Sequence, residues 1–188
     1  MYKLYIKRLL DIFISVITIV LLSPVYIIVA IIIKLQDGGP SFFVHERVGL
    51  KGKGFQLLKF RSMPVDTANV DSSQTTLLKI TPFGKFIRRT NIDELPQLFN
   101  ILKGDMSIVG PRPALASQEQ LVKLRMSNGA YECKPGLTGL AQINSYDNMP
   151  VEEKAIWDIK YANRINFIND IKIIILTFSY LLKPPPTY

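Results

Sequence analysis

Apolar residues are unevenly spread along the chain, and the densest run comes first. Ile12 to Ile33 is 22 residues without a charge. A straight helix of that length reaches about 33 Å, enough for the roughly 30 Å hydrocarbon core of a bilayer. Ser23-Pro24 interrupts the run near its middle, leaving 11 residues before it and 9 after. Pro24 has no N–H, and its ring collides with the carbonyl of Val20, which costs roughly 3 kcal/mol inside a helix. The Ser23 hydroxyl can bond back to a freed carbonyl and ease the bend. Two short arms and a break suit a re-entrant helix that enters the bilayer and leaves by the same face. A single spanning helix stays open, because proline is tolerated in membrane helices. A cleaved signal peptide fits less well, since no convincing small-residue cleavage site follows the run.

Beyond Asp37-Gly38-Gly39-Pro40 the pattern becomes that of a folded domain. "FFVHERVG" and "FQLLKFRS" flank the loop "LKGKG" and predict a β-hairpin. "VDTANVDSSQTT" is polar and aperiodic, a loop or lid. Thr81-Pro82 opens a short helix that carries Phe83, Phe86 and Ile87 toward a core and ends in Arg88 and Arg89. Pro96 fixes the start of the next helix within about three residues before it, which makes Asp93 the N-cap, with Glu94 in the first turn and Gly104 as terminator. A helix over Ala114–Ser127 closes at Asn128-Gly129, and "KPGLTGLAQ" reads as a glycine-punctuated loop. Pro150 opens a helix containing Trp157, Asp158 and Tyr161. The last helix, about Ile168–Leu182, holds "IIILTFSYLL", too short to span a bilayer, so it either packs in the core or lies in the interface. Pro184–Pro186 end it. The expected class is α+β, mainly helical with a small β-hairpin, in a monotopic membrane protein. Residues 1–36 are expected to form the membrane-associated, proline-broken helix, and 37–188 a cytosolic domain with interfacial helices as an option.

Composition narrows the partners. A chain of 188 residues is enough for one core. Its net charge of +8 favours an anionic partner such as nucleic acid, anionic lipid or a phosphorylated substrate. The single cysteine, Cys133, cannot form an internal disulfide and fits a reducing compartment. Both flanks of the apolar run are basic: Lys3, Lys7 and Arg8 before it, and Lys34 leading to Lys51, Lys53, Lys59 and Arg61 after it. Basic flanks favour the cytoplasmic side, and a straight span satisfies only one of them. Asp11 lies three and four residues after Arg8 and Lys7, so pairing along the helix is its expected role. His45 stands alone, without a Cys/His cluster, which argues against zinc and for a structural or surface position. Gly49 and Gly54 have P-loop spacing, but Phe55-Gln56 follow where Lys-Ser/Thr is needed, so no P-loop is assigned.

The chemistry concentrates in "RRTNIDELPQLFNILKGDMSIVGPRP". One reading is architectural: Asp93 caps a helix, worth about 1 kcal/mol, and Glu94 complements the helix dipole. The other is catalytic. A helix start attracts phosphate. An ionised carboxylate is a nucleophile near neutral pH without a base. A neighbouring carboxylate can hold Mg²⁺ together with substrate phosphates. Arg88, Arg89 and Arg112 can neutralise a transferring phosphoryl group.

Nearly end to end, the chain resembles the small monotopic phosphoglycosyl transferases, the bacterial sugar transferases that load phospho-sugars onto polyprenyl phosphate. The resemblance rests on "KRLLD", the mid-helix "SP", "GGPSFFVHERVG", "GKGFQLLKFRSM", "TPFGKFIRRTNIDELPQLFNILKGDMSIVGPRP", "KPGLTGLAQ" and "WDIKYANR". Among the short members it is most similar to the Campylobacter-type group that transfers diacetylbacillosamine phosphate for protein glycosylation. The resemblance implies that Asp93 is the nucleophile and Glu94 the Mg²⁺-associated carboxylate. It also implies that Lys59, Arg88 and Pro111-Arg112-Pro113 belong to the substrate site, and that Ser23-Pro24 breaks a re-entrant membrane helix. The implied partners are a UDP-sugar, polyprenyl (undecaprenyl) phosphate and membrane lipids, on the cytoplasmic face of the bacterial inner membrane. Arg61 and Arg89 divide between substrate contact and structural ion pairing, and Asp158 is expected to be structural.

Three rivals explain less. Adjacent helical carboxylates point about 100° apart and do not easily flank one glycosidic bond. A basic membrane-surface scaffold accounts for charge and anchor but predicts no metal-dependent activity. A nucleic-acid binder accounts for the charge, yet no groove-reading or base-stacking motif is present.

Overall fold

The computed structural model describes residues 1–65, 80–146 and 148–181. All but the first residue of the polar loop or lid, and the Pro184–Pro186 stop, lie outside the described residues. The apolar run folds as two helices, α1 (Lys7–Leu21, led in by a π-turn over Tyr2–Ile6) and α2 (Ser23–Asp37). They are bent by 63° at the break. Pro24 sits in the first turn of α2, where its missing N–H costs nothing. The Val20 carbonyl accepts a bond from the Ser23 hydroxyl at 2.8 Å. Among the described residues no single helix is long and apolar enough to cross a membrane.

The hairpin forms as its alternation predicts: β1 (Phe42–Val48) pairs antiparallel with β2 (Gly54–Phe60), with Phe42 opposite Phe60 and Arg47 opposite Phe55. His45 sits in it with its ring edge-on to Phe43. In α3 (Pro82–Arg89) the Thr81 hydroxyl accepts from the Gly84 amide at 2.8 Å, the expected cap. A tight 3₁₀ turn (Ile92–Glu94) then leads into α4 (Gln97–Lys103), which Gly104 closes at φ 101.

Several boundaries differ from the sequence pattern. Asp93 does not cap α4; it lies inside the 3₁₀ turn, and no side chain caps the helix. Helical dihedrals run through Pro96, because a 3₁₀ lead-in places no N–H demand on a proline there. The glycine-rich stretch is not purely loop: β3 (Ser107–Val109) and β4 (Gly136–Thr138) form a parallel pair. Strands of three residues carry no period, so the long-range pairing left no local signal. The helix expected from Ala114 begins at Glu119 instead (α5, Glu119–Asn128), because Ala114 bridges to Val48 at the end of β1. After α5 a 3₁₀ turn over Ala130–Glu132 leads to β4, then α6 (Leu140–Ile143), α7 (Val151–Ala162) and α8 (Phe167–Leu181).

Two apolar clusters carry most of the burial. Leu57, Leu98, Ile101, Met106, Val109, Tyr161 and Ile173 join hairpin, α4, β3, α7 and α8. Tyr26, Val29 and Ile33 of α2 join Phe60 and Ile87. The "KRLLD" residues dock α1 onto this body. Asp11 closes no ion pair along its helix among the described residues, although the Lys7 charge still favours its ionised form; it is buried and accepts the Ile108 amide of β3 at 2.9 Å. Lys7 bonds Asp170 of α8 at 2.7 Å, and Tyr2 donates to the same carboxylate oxygen. Arg8 donates to the carbonyls of Ile101 and Leu102, the unpaired C-terminal end of α4.

Candidate active site

Four elements bring the charged residues together. Asn91 adopts a left-handed φ of 55 just after α3, a conformation asparagine tolerates better than most side chains. That kink turns the chain so that Asp93 and Glu94 face the end of β2. Lys59 of β2 donates to Glu94 Oε1 at 2.6 Å and stands 3.9 Å from Asp93 Oδ2. Arg112, in the turn after β3, reaches the same Glu94 oxygen at 2.7 Å and Oε2 at 3.5 Å. Arg88 of α3 donates to Ser62 Oγ at 2.7 Å and lies close enough to Asp93 to feel its charge.

Backbone contacts fix this geometry. The Asn100 side chain accepts from the Leu58 amide at 2.9 Å and donates to the Gln56 carbonyl at 2.7 Å, locking α4 to the free edge of β2. Tyr26 of α2 donates to the Leu95 carbonyl at 2.6 Å, so the broken N-terminal helix touches the carboxylate turn itself. The Pro111-Arg112-Pro113 turn is held from three sides. The Gly136 amide donates to Pro111 O and the Val48 amide to Ala114 O, each at 2.9 Å. Arg125 Nη1 donates to Arg112 O at 2.9 Å. Arg125 is in turn paired with Asp158 at 2.6 Å, both side chains almost fully buried.

The two adjacent carboxylates differ electrostatically. Burial pushes Glu94 up, but Arg112 and Lys59 together outweigh it and hold the group well below the ordinary carboxylate range. Asp93 is raised, chiefly by burial, with the Glu94 anion adding to it; Lys59, Arg88 and Arg112 pull the other way. Glu94 is therefore a fixed anion clamped by two cations. Asp93 is a buried, higher-energy carboxylate whose closest ion pair among the described residues is the 3.9 Å contact to Lys59.

Of the residues singled out in the sequence, Lys59, Arg88, Asp93, Glu94 and Arg112 converge, with Pro111 and Pro113 shaping the turn. Ser23 and Pro24 lie at the helix break. Arg61 is buried and paired with Asp37 at the end of α2, with its Nε and Nη1 bonding nothing among the described residues. Asp158 is structural, and reaches the site through Arg125. Arg89 is exposed at the end of α3. Arg47 was not foreseen. It lies on the same face of the hairpin as Lys59, and the Val48–Ala114 bridge sets it beside the Arg112 turn. Burial first, then Arg112, lowers its pKa to about 10, while Glu94 supports its charge. Its buried Nε has no hydrogen-bond partner among the described residues. The usable signal was the alternation in "FFVHERV", which puts Arg47 and the partner of Lys59 on one face.

Four cations thus surround two carboxylates, an excess of positive charge suited to phosphates. For Mg²⁺ the donor set is of the right type. A hard dication takes one or two carboxylates and completes its shell with substrate phosphates and water. Glu94 is ionised, and its Oε2 is the less engaged oxygen. No group of three or more His, Cys, Asp or Glu side chains able to hold a metal occurs among the described residues.

A sequence model of the family described as "Bacterial sugar transferase" matches residues 2–184. The "Uncharacterized sugar transferase EpsL" of Bacillus subtilis is 38% identical over 176 residues, covering 94% of this chain and 87% of that protein. A "UDP-glucose:undecaprenyl-phosphate glucose-1-phosphate transferase" of Klebsiella pneumoniae is 41% identical over 180 residues, 91% of this chain but 39% of its own length. A protein of the same description from Caulobacter vibrioides is 36% identical over 191 residues, covering 97% of this chain and 72% of the relative.

Proposed function

The chain belongs to the bacterial sugar transferase family, and from that premise we propose that it transfers a sugar 1-phosphate from a UDP-sugar to undecaprenyl phosphate through a covalent phospho-sugar on Asp93. The observation that carries the reading is the division of labour between adjacent carboxylates. Glu94 is pinned at 2.6 and 2.7 Å by Lys59 and Arg112, while the closest ion pair of Asp93 among the described residues is the 3.9 Å contact to Lys59.

In the first step an Asp93 carboxylate oxygen attacks the sugar-linked phosphorus. An Asp–O–P bond forms, the bond from that phosphorus to the bridging oxygen breaks, and its electron pair leaves with UMP. Burial and the neighbouring anion raise the energy of the attacking carboxylate, which favours its conversion to an uncharged acyl phosphate oxygen. Lys59, Arg88, Arg112 and Arg47 offset the charge on the phosphoryl oxygens. In the second step an oxygen of the lipid phosphate attacks the same phosphorus, and the Asp93 carboxylate is released. Two steps keep the polyanions apart: unit charges about 4 Å apart repel by roughly 4 kcal/mol at an effective dielectric of 20. Mg²⁺, held by Glu94 and the donor diphosphate, would supply further neutralisation of the leaving group.

The 63° break at Ser23-Pro24 and the exposed apolar side chains of α1 and α2, Phe13, Val20, Leu21 and Ile27 among them, support a re-entrant anchor that keeps the site at the cytoplasmic face of the inner membrane. For the sugar, we propose diacetylbacillosamine, which rests on the sequence resemblance alone; the relatives named above act on glucose where their descriptions name a sugar. The test is incubation with UDP-sugars and Mg²⁺ without acceptor. One equivalent of UMP should be released and a phospho-sugar mass should appear on the peptide containing Asp93. Asp93→Asn should keep its fold and show neither. Normal turnover by the Asn variant, with deamidation excluded, ends the covalent reading. A preference for UDP-glucose over UDP-diacetylbacillosamine ends only the sugar assignment.

A further inference from the structure

Away from the carboxylates, α6, α7 and α8 enclose a groove of about 410 Å³, within the size range of small-molecule sites. Its lining is apolar at the buried Ile173, the half-buried Leu140 and the exposed Leu176, and carries the exposed Lys160, Arg164 and Lys172 with Trp157. No carboxylate lines it among the described residues, and none of the reacting residues does. Lys160 Nζ lies 4.5 Å from the centre of the Trp157 ring. Lys172, Leu176 and Ser179 follow one another at helical spacing and form one face of α8. The next face, about 100° round the helix, is the exposed row Ile168, Ile171, Ile175 and Phe178. Core packing does not use that row. Through Lys7–Asp170 and the Tyr2–Phe167 ring contact, α8 is tied to the start of α1.

We propose that this groove binds the headgroup of an anionic phospholipid. Lys160, Arg164 and Lys172 hold the negative charge, and Leu140 and Leu176 meet the first methylenes of the chains. Three cations with no acid in the lining favour a net negative headgroup; Glu153, outside the lining, accepts from Trp157 Nε1 at 3.3 Å. The apolar lining leads out to the exposed row of α8, the direction in which acyl chains would run. Lysine and arginine stems reach past an apolar surface to a headgroup in the same way at other interfaces.

The inference rests on membrane association, so the test separates the two. Trp157 is the only tryptophan of the chain and reports on the groove directly. The full chain is placed in nanodiscs of phosphatidylcholine, and phosphatidylglycerol is raised stepwise while Trp157 emission is followed. Wild type should show a saturable change. Each single Gln variant of Lys160, Arg164 and Lys172 should move the midpoint about fivefold, and the triple variant should not saturate. Glycerol 3-phosphate added to phosphatidylcholine discs should not reproduce the change. A wild-type chain that co-elutes with the discs but shows no saturable response overturns the groove and leaves the anchor intact. A chain that does not co-elute at all overturns both. An unchanged response in the triple variant, or saturation by glycerol 3-phosphate or UMP, also refutes the lipid assignment.

Discussion

The Arg125–Asp158 pair offers a way to separate what holds the fold from what shapes the site. Both side chains are almost wholly buried, at 3% and 1% exposure, and meet at 2.6 and 2.8 Å. Arg125 also donates to the Arg112 carbonyl at 2.9 Å. Asp158→Leu strands the guanidinium in the interior with that carbonyl and the face of Tyr131 for company, which should cost about 3–5 kcal/mol. Adding Arg125→Met removes the stranded charge. Replacing a buried pair by apolar side chains of similar size is often neutral or stabilising, so the double variant should return to within about 1–2 kcal/mol of wild type. Activity should not return with it. The double variant lacks the donor to Arg112 O, and a hydrogen bond from a charged group is worth about 1.5–3 kcal/mol. If that bond positions Arg112 against Glu94 and the diphosphate, UMP release should fall about 10- to 150-fold. Urea midpoints followed by Trp157 fluorescence give the stability, and UMP release gives the activity on the same samples. A double variant with wild-type stability and wild-type turnover refutes the positioning role. One that stays as unstable as the single variant refutes the desolvation argument.

Glu94→Gln should reduce UMP release by at least 100-fold, because a neutral amide is a poor ligand for a hard dication and a weak partner for Lys59 and Arg112; full wild-type activity in a verified chelator would reject the metal assignment. Since the Glu94 pKa is lowered on folding, its stabilising contribution is present above the ordinary value of 4.5 and is lost as pH falls below it. The acid-unfolding curve of the Gln variant should lack that component. Arg47→Gln should leave stability unchanged or slightly raised, because its buried Nε bonds nothing among the described residues, yet weaken kcat/KM for the UDP-sugar tenfold or more; unaltered kinetics would remove it from the site. With Cys133 replaced by Ala and Lys3 by Cys, a reagent that cannot cross the inner membrane should fail to label intact cells, and replacing Ser23 and Pro24 by Leu should allow labelling. Ready labelling with Ser23-Pro24 intact shows that the helix spans.

The sequence by itself determined the features encoded locally. The proline in mid-run set the helix break, and Ser23 was already the residue able to serve the freed Val20 carbonyl. Alternation set the hairpin, and Thr81-Pro82 and Gly104 set helix ends, because caps, prolines and period-2 patterns act within a few residues. The cluster of acids and arginines was legible as a stretch, but not the separate states of its two carboxylates. Adjacency alone cannot say which acid two cations will clamp; that depended on β2 delivering Lys59 and the turn after β3 delivering Arg112 to Glu94. Only tertiary structure showed that Asp11 serves a β3 amide, that Asn100 and Tyr26 brace the carboxylate turn, and that Asp158 acts through Arg125. Each joins residues 33 or more positions apart, and such contacts leave no periodic trace in a single sequence. The β3–β4 pair escaped for the same reason, being too short to show a pattern. Arg47 was visible as a letter in a strand, and became a candidate for phosphate only when folding buried its Nε beside Arg112 without a partner among the described residues.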